Sequence, residues 1–234
     1  MLDERSLADL GTWYIIFLFT LTVHEAAHAL VAWWGGDDTA YRGGQVSLNP
    51  WPHIRQEPLG TVVIPIASYF FMGWTMGWAS APYNPNWGRR FPLRQAAMSA
   101  AGPAANLLMA VLVFAAFKAL FLAGVFVAPS AIRFDCLSVP SEMYQDSAWA
   151  ISLARILSIT LNLNLLLCCF NLFPLPPLDG SGILSGLFPK SLGYLYDLMR
   201  EGSMFTILGI LIAGKYFVYI YSPALKAVII LLYA

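Results

Sequence analysis

Long apolar runs separated by short polar segments dominate the sequence. A helix needs roughly 20 apolar residues to cross a hydrocarbon core of about 30 Å. Runs that reach or approach this length occupy residues 11–34, 59–79, 95–128, 149–173 and 203–234. The pattern therefore predicts an all-α, polytopic membrane protein with about five transmembrane helices.

Two segments near these runs predict departures from plain helices. Residues 45–48 alternate between polar and apolar after a pair of glycines, which indicates a short membrane-associated β-hairpin beside the first helix. Pro174, Pro176 and Pro177 cannot continue the fourth helix, because proline lacks an amide hydrogen and clashes with the preceding turn. We therefore expect a proline-broken helix and then extended chain at membrane depth. Such chain is tolerated only where protein or a water-filled cavity surrounds it.

The composition agrees with a membrane location. Of the 234 residues, 59% are hydrophobic and 11% are charged, whereas soluble domains are about 45–50% apolar and about 25% charged. The mean hydropathy is +0.65. The formal net charge is zero, which argues against a nucleic-acid partner because such proteins carry a basic surplus.

No linker or change in composition divides the chain. We expect one membrane-embedded domain over residues 1–234, with a core at about 11–189 and a C-terminal helix at 203–234. The first nine residues carry three acidic side chains against Arg5 alone. They lack the positively charged start of a secretory signal peptide, so we expect the first helix to be retained.

The charges between the apolar runs predict an orientation. Arg89, Arg90 and Arg94 lie in one connecting segment, and such segments face the cytoplasm under the positive-inside rule. The acidic segment 129–148 then faces the opposite side. Alternation over five spans puts the N-terminus and residues 174–202 on the cytoplasmic side as well. We expect a multi-pass protein of the cell membrane.

The first apolar run contains the pattern His24-Glu25-x-x-His28. Residues four apart lie on one face of a helix, about 6 Å apart along the axis. Two imidazoles at that spacing can share one metal ion, and Glu25 lies beside them, where it can reach a water molecule without being a ligand. The pattern indicates a metal site.

The apolar surroundings strengthen this interpretation. The run contains no other ionisable residue near these three side chains. Each charged group costs roughly 2–3 kcal/mol or more near the bilayer centre if it has no partner. A divalent cation is the simplest partner for all three, whereas two surface histidines on an ordinary helix would explain neither the position nor the spacing.

A catalytic zinc ion usually has three protein ligands and one open position. Asp179 is the outstanding candidate for the third ligand, because it follows the proline break and precedes Gly180, which lets the chain turn. A solvated aspartate in a proline-rich turn at the membrane boundary explains the same spacing equally well. From the residues alone, both interpretations stay open.

Together, four motifs resemble the site-2 protease family of intramembrane zinc metalloproteases. They are His-Glu-x-x-His at 24–28, Asn-Pro-Trp-Pro-His-Ile at 49–54, Ala-Gly-Pro-Ala-Ala-Asn at 101–106 and Asn-x-x-Pro-x-x-x-Leu-Asp-Gly at 171–180. They occur in the family's order and cover about 23–182. The chain resembles a minimal catalytic core without an inserted PDZ domain.

The resemblance implies roles for particular residues. It implies that His24, His28 and Asp179 bind one zinc ion per chain and that Glu25 is the general base. It also implies that Asn171 holds the substrate backbone. The remaining matches, His53 and Asn106, are predicted to contribute to substrate binding.

The implied function is that of a zinc metalloendopeptidase that cleaves membrane-spanning or membrane-anchored proteins within the lipid bilayer, with its active site towards the cytoplasmic side. One alternative is a non-catalytic relative that binds membrane helices without cutting them. Another is a divalent-cation transporter, although the other apolar runs supply almost no ionisable groups for a path across the membrane.

Overall fold

The computed structural model describes residues 4–201 and 203–234, which are mostly helical. The helices are α1 (Glu4–Trp34), α2 (Thr39–Arg42), α3 (Pro50–Gln56), α4 (Ile64–Met72, after a π-helical stretch at Leu59–Val63), α5 (Pro85–Arg90), α6 (Pro92–Leu122), α7 (Ala148–Asn171), α8 (Asp179–Leu187), α9 (Tyr194–Glu201), α10 (Ser203–Tyr216) and α11 (Val218–Tyr233). The strands are β1 (Phe126–Val127) and β2 (Val139–Pro140).

Within the described residues, three helices are long and apolar enough to cross a membrane, namely α1, α6 and α7. The helices α10 and α11 form a fourth span if they count as one, although they bend by 44° at the break between them. The apolar, polytopic and helical character that the sequence predicts is therefore present, but a count of five spans is not confirmed.

The second predicted span is too short to cross. Its helical part, Leu59–Met72, has 14 residues, about 21 Å at 1.5 Å per residue. Gly73 ends α4 in a left-handed conformation (φ +78°), and the chain turns back. The returning Trp78 donates its amide hydrogen to the Gly60 carbonyl at 3.1 Å. The apolar run is thus a helix followed by a returning strip (residues 74–81), and the two pack side by side.

The β-hairpin predicted at residues 45–48 is wrong. Residues 45–48 contain no strand and bend at 46–48. The small sheet of the described chain lies elsewhere, where β1 and β2 pair antiparallel with Phe126 opposite Pro140. Side-chain hydrogen bonds replace strand pairing here, and one of them is to a backbone carbonyl that a strand partner would use. The buried Gln45 amide donates to Ser80 O at 3.0 Å, and His53 Nε2 donates to Ser47 O at 3.2 Å.

The proline break has the predicted position. Helix α7 ends at Asn171, and α8 begins at Asp179. The intervening residues are irregular and contain the three prolines. Because α8 then packs against the start of α6, a Cβ atom on Gly186 would overlap the Pro92 carbonyl oxygen.

The helices α1, α6 and α7 form the core of the bundle. Helix α1 runs antiparallel to α6, since Arg94 near the start of α6 donates to the Gly35 carbonyl just after α1 at 2.9 Å. An apolar cluster that includes Trp13, Phe17 and Leu163 joins α1 to α7. Since lipid is as apolar as these side chains, their contribution here comes from close van der Waals packing rather than from removal from water.

Arg155 links several elements at one end of the bundle. It forms ion pairs with Asp9 of α1 and, at 3.3 Å, with Asp135 of the segment between β1 and β2. Asp9 also accepts a hydrogen bond of 2.8 Å from the Tyr69 hydroxyl of α4. The N-terminal part of α1 therefore lies at the same end as the acidic segment.

The arginine segment lies at the opposite end. Arg89 of α5 pairs with Asp197 of α9 at 3.1 Å. Helix α5 also contacts the C-terminal end of α1, since Trp87 Nε1 donates to the Gly35 carbonyl at 2.9 Å. The predicted placement of the N-terminus on the same side as the arginine segment is therefore wrong. The physical reason is that the chain turns back after α4 instead of crossing.

The substitution Arg155→Met should lower the thermal stability of the purified protein in detergent, because it leaves two carboxylates without their shared cation. We expect a decrease in Tm of about 2–4 °C, which corresponds to roughly 1 kcal/mol for a chain of this size. The matched control is Arg42→Met, which removes an exposed ion pair with Asp38 within one turn. Equal Tm values for the two variants would contradict this role for Arg155.

Candidate metal centre

Helix α1 carries His24, Glu25 and His28 into the interior of the bundle. Their exposed fractions are only 4%, 5% and 7%. The two imidazoles meet edge to face, and their Nε2 atoms are 3.0 Å apart. One atom from each of the three side chains lies within 4.8 Å of the others. The helical spacing thus brings both histidines to one point, with the glutamate beside them.

Asp179, the first residue of α8, reaches the same point from the other side of the proline break. Its Oδ2 atom lies 3.2 Å from His24 Nε2 and 3.3 Å from His28 Nε2. A tetrahedral zinc site with ligands at about 2.0–2.1 Å has ligand-to-ligand distances of about 3.3 Å. The triangle formed by the two nitrogens and the oxygen therefore has the dimensions of one face of such a site.

The hydrogen bonds of the imidazoles leave both Nε2 atoms as acceptors. His28 Nδ1 donates to the Met98 carbonyl at 2.7 Å, and His24 Nδ1 donates to Asn106 Oδ1 at 2.5 Å. In neutral histidine only one ring nitrogen carries a hydrogen, so each Nε2 presents a lone pair. Asp179 Oδ2 is buried and accepts no hydrogen bond. Three acceptors without a shared donor fit a divalent cation such as zinc.

Glycines allow the ligand-bearing elements to approach this closely. A Cβ atom on Gly102 of α6 would overlap Nε2 of both His24 and His28. A Cβ atom on Gly180 would overlap the carbonyl oxygens of Leu172 and Phe173 at the end of α7. Gly102 therefore lets the imidazoles lie on the α6 backbone, and Gly180 lets α8 begin next to α7.

A chain of buried polar side chains continues behind His24. Asn106 Nδ2 donates to Asn164 Oδ1 at 2.9 Å, and Asn164 Nδ2 donates to Thr20 Oγ1 at 3.2 Å. Thr20, Asn106 and Asn164 are all fully buried. Asn106 thus contacts the back of an imidazole and does not line the cavity, so the structure gives no support to a direct contact with substrate.

A cavity of about 310 Å³ opens beside the four converging side chains. Asn171 lines it, as do residues 79–81 of the strip that returns after α4. His53 does not line it, because this side chain is buried on α3 and donates to Ser47 O. The structure therefore brings Asn171 to the site, while the roles predicted for His53 and Asn106 in substrate binding stay predictions.

A larger cavity of about 880 Å³ lies among α1, α7 and the bent pair α10 and α11. Its lining is mostly apolar and includes Trp13, Phe170 and Phe217. Because it contains neither histidine, Glu25 nor Asp179, it is separate from the candidate metal centre despite its size.

Sequence reasoning missed Gly102 and Asn164 as residues of the site. Gly102 belongs to a small-residue motif that also suits ordinary helix packing, and only the structure relates it to the imidazoles. Asn164 is an isolated polar residue in an apolar run. The cost of burying an unpaired amide is the signal that singles it out.

Comparison with known proteins gives results that agree with this geometry. The model of peptidase family M50 matches residues 12–213. A Bacillus subtilis protein named "Putative zinc metalloprotease YwhC" is 35% identical over 176 residues, which are 75% of this chain and 68% of that protein. A Mycolicibacterium smegmatis protein named "Putative zinc metalloprotease Rip2" is 26% identical over 183 residues, which are 77% of this chain and 60% of that protein.

No solved structure matches the chain. The family model nevertheless covers most of the sequence, from the first helix through the metal centre to α10. The chain therefore belongs to peptidase family M50, the site-2 protease family of zinc metalloproteases.

Proposed function

We propose that the protein is an intramembrane zinc metalloendopeptidase that hydrolyses peptide bonds of membrane-spanning or membrane-anchored proteins. The observation that carries the proposal is the convergence of His24 Nε2, His28 Nε2 and Asp179 Oδ2 on one point. Two of these three ligand atoms lie on α1, a helix long and apolar enough to cross a membrane. Membership of the family supports the same conclusion.

In this proposal, His24, His28 and Asp179 hold one zinc ion per chain. Two neutral imidazoles and one carboxylate are a ligand set found in catalytic zinc sites, which keep a further position open. The adjoining cavity gives that position access to water and to substrate. Bound zinc supplies a Lewis acid that polarises a carbonyl group and makes water more acidic.

Glu25 is the general base in this proposal. It neighbours His24 in sequence and lines the same cavity as both histidines and Asp179. Its carboxylate takes a proton from the attacking water and then gives it to the nitrogen of the departing amine. Burial at 5% exposure removes competing bulk water from the carboxylate, so the proton passes between groups held in the cavity.

The substrate must present an extended peptide to this cavity. A transmembrane helix hides its carbonyl and amide groups in hydrogen bonds between residues i and i−4, so it has to unwind locally. Residues 79–81 border the cavity and have no regular secondary structure, and in this proposal their backbone is the partner for an added strand. Asn171 lines the same cavity, and in this proposal it holds the backbone of the peptide.

The site lies closer to the arginine end of the bundle. His24 is ten residues from Trp34 and twenty residues from Glu4 along α1, which corresponds to about 15 Å and 30 Å. Arg89, Arg90 and Arg94 cluster at the Trp34 end. In this proposal, the active site therefore faces the cytoplasmic side of the cell membrane.

The substitution Glu25→Gln should abolish cleavage and retain zinc, because glutamine preserves the size of the side chain but cannot accept the proton. We expect a loss of activity of about 10²–10⁴-fold. The measurement is proteomics of membrane fragments from cells that carry either form, with zinc content determined on the purified proteins. Glu142→Gln, at an exposed position between β2 and α7, serves as the control. Unchanged fragments in the Glu25→Gln cells would refute the assigned base.

The substitution Asp179→Asn should weaken zinc binding, because it removes the only carboxylate oxygen of the converging triangle. We expect a loss of affinity above about 100-fold, which is the upper end for loss of an outer-shell partner. The control is Asp197→Asn, which affects an exposed ion pair with Arg89. Competition for zinc with a chelator measures both variants, and wild-type affinity in Asp179→Asn would exclude this residue as a ligand.

The substitution Gly102→Ala should displace the imidazoles, because the added methyl group overlaps both Nε2 atoms. Overpacking of this kind typically costs about 1–3 kcal/mol, and here relief of the overlap separates the ligand atoms. We expect zinc affinity to fall by at least about 10-fold. The matched control is Gly11→Ala on α1, where no atom lies within 4 Å of the added Cβ. Equal zinc affinity in the two variants would argue against the described packing.

A further inference from the structure

The hydrogen bonds behind His24 have a fixed direction. The Thr160 carbonyl oxygen can only accept, and Asn164 Nδ2 donates to it at 2.9 Å. The same Nδ2 donates to Thr20 Oγ1, so both of its hydrogens are engaged. The Oδ1 atom of Asn164 must then face Asn106 and accept from it.

This direction is transmitted to the imidazole. Because Asn106 donates through Nδ2 to Asn164, its Oδ1 atom faces His24 Nδ1 at 2.5 Å. An oxygen at this position can only accept, so Nδ1 carries the hydrogen and Nε2 keeps its lone pair. The orientation of two amides and the tautomer of His24 thus follow from one backbone carbonyl.

The two histidines differ in what fixes their tautomers. His28 Nδ1 faces the Met98 backbone carbonyl, whose direction is set by α6 itself. His24 faces a side-chain amide, and an amide can exchange its oxygen and nitrogen by rotating. A rotated Asn106 would present hydrogens to His24 Nδ1, and the ring would then carry its hydrogen on Nε2, where it blocks metal binding. His24 therefore needs a second residue that prevents this rotation.

We infer that Asn164 is a positioning residue that fixes the tautomer of His24 through Asn106 and so keeps Nε2 free to bind zinc. The inference rests on the proposed function, because it concerns the same metal site. Asn164 touches neither the imidazoles nor the cavity lining in the hydrogen bonds described. It acts only through Asn106.

The first test is Asn164→Leu, which preserves the approximate size of the side chain and removes both its donors and its acceptor. We expect the affinity for zinc to fall by about 10-fold, which is the lower end of the effect of losing an outer-shell partner. Competition with a chelator on the purified protein in detergent measures this affinity. The absorption spectrum of the cobalt-loaded protein reports ligand geometry independently of proteolysis.

Asn162→Leu is the matched control. Asn162 lies two residues away on α7 and is also fully buried. Its amide donates to Phe134 O and accepts from the Tyr221 hydroxyl, with no link to His24. Loss of a buried amide from α7 should lower the Tm of both variants, whereas the zinc affinity should fall only in Asn164→Leu.

The second test removes the need for Asn164 to orient the side chain of residue 106. In an Asn106→Asp background, a carboxylate faces His24, and it accepts from Nδ1 in either orientation. Asn164→Leu should then cause no loss of zinc affinity, although it causes about a 10-fold loss beside Asn106. This rescue separates tautomer control from a structural role, because a packing defect at residue 164 would persist in both backgrounds.

Two results would overturn the inference while the proposed function stands. One is equal zinc affinity in Asn164→Leu and Asn162→Leu, with wild-type protein binding zinc more tightly than Asp179→Asn. The other is the same loss from Asn164→Leu in both backgrounds. If Asn164→Leu does not fold, Asn164→Ala replaces it with the same expectation. Wild-type protein that binds zinc no better than Asp179→Asn would overturn both the inference and the proposed function.

Discussion

The structure depends on three acceptor atoms that converge inside a bundle of apolar helices. Two imidazole nitrogens and one carboxylate oxygen lie 3.0–3.3 Å apart, and neighbouring groups already occupy the hydrogens on the far side of both rings. In a medium of low dielectric constant, such an arrangement is unfavourable unless a cation shares the lone pairs. The same requirement makes the site useful, because a cation held by three ligands keeps a position open for chemistry.

Each of three helices contributes one feature that brings these atoms together. Helix α1 supplies His24 and His28 from one face, and α6 lets them approach because Gly102 has no side chain. The proline break ends α7 and restarts the chain at Asp179. The cavity thus opens beside the break between α7 and α8. Non-helical backbone is tolerated at membrane depth there because it is surrounded by protein and a cavity.

Local sequence patterns identified the converging side chains better than they predicted the architecture. The i, i+4 spacing of His24 and His28 and the proline break before Asp179 depend on neighbouring residues, so sequence reasoning could identify them. The run 59–79 looked like a span because composition does not reveal that Gly73 turns the chain back. The hairpin expected at 45–48 failed for a similar reason, since this segment bonds to distant residues: the Gln45 side chain donates to the Ser80 carbonyl, and His53 donates to the Ser47 carbonyl.

Residues that act through others were the least predictable. Asn106 matched a family motif, but only three-dimensional contacts relate it to the back of His24, and nothing in the sequence links Asn164 to Asn106. The hydrogen-bond directions in this part of the bundle depend on which atoms can donate. They can be assigned only when every partner in the network is known. Buried polar residues in an otherwise apolar helix are the sequence signal that such a network exists.

X-ray absorption at the zinc edge of the purified wild-type protein tests the central claim most directly. The account expects one zinc ion per chain with only nitrogen and oxygen ligands at about 2.0–2.1 Å, and outer-shell scattering from two imidazoles. A site without stoichiometric zinc, or one with sulfur at about 2.3 Å, would contradict it.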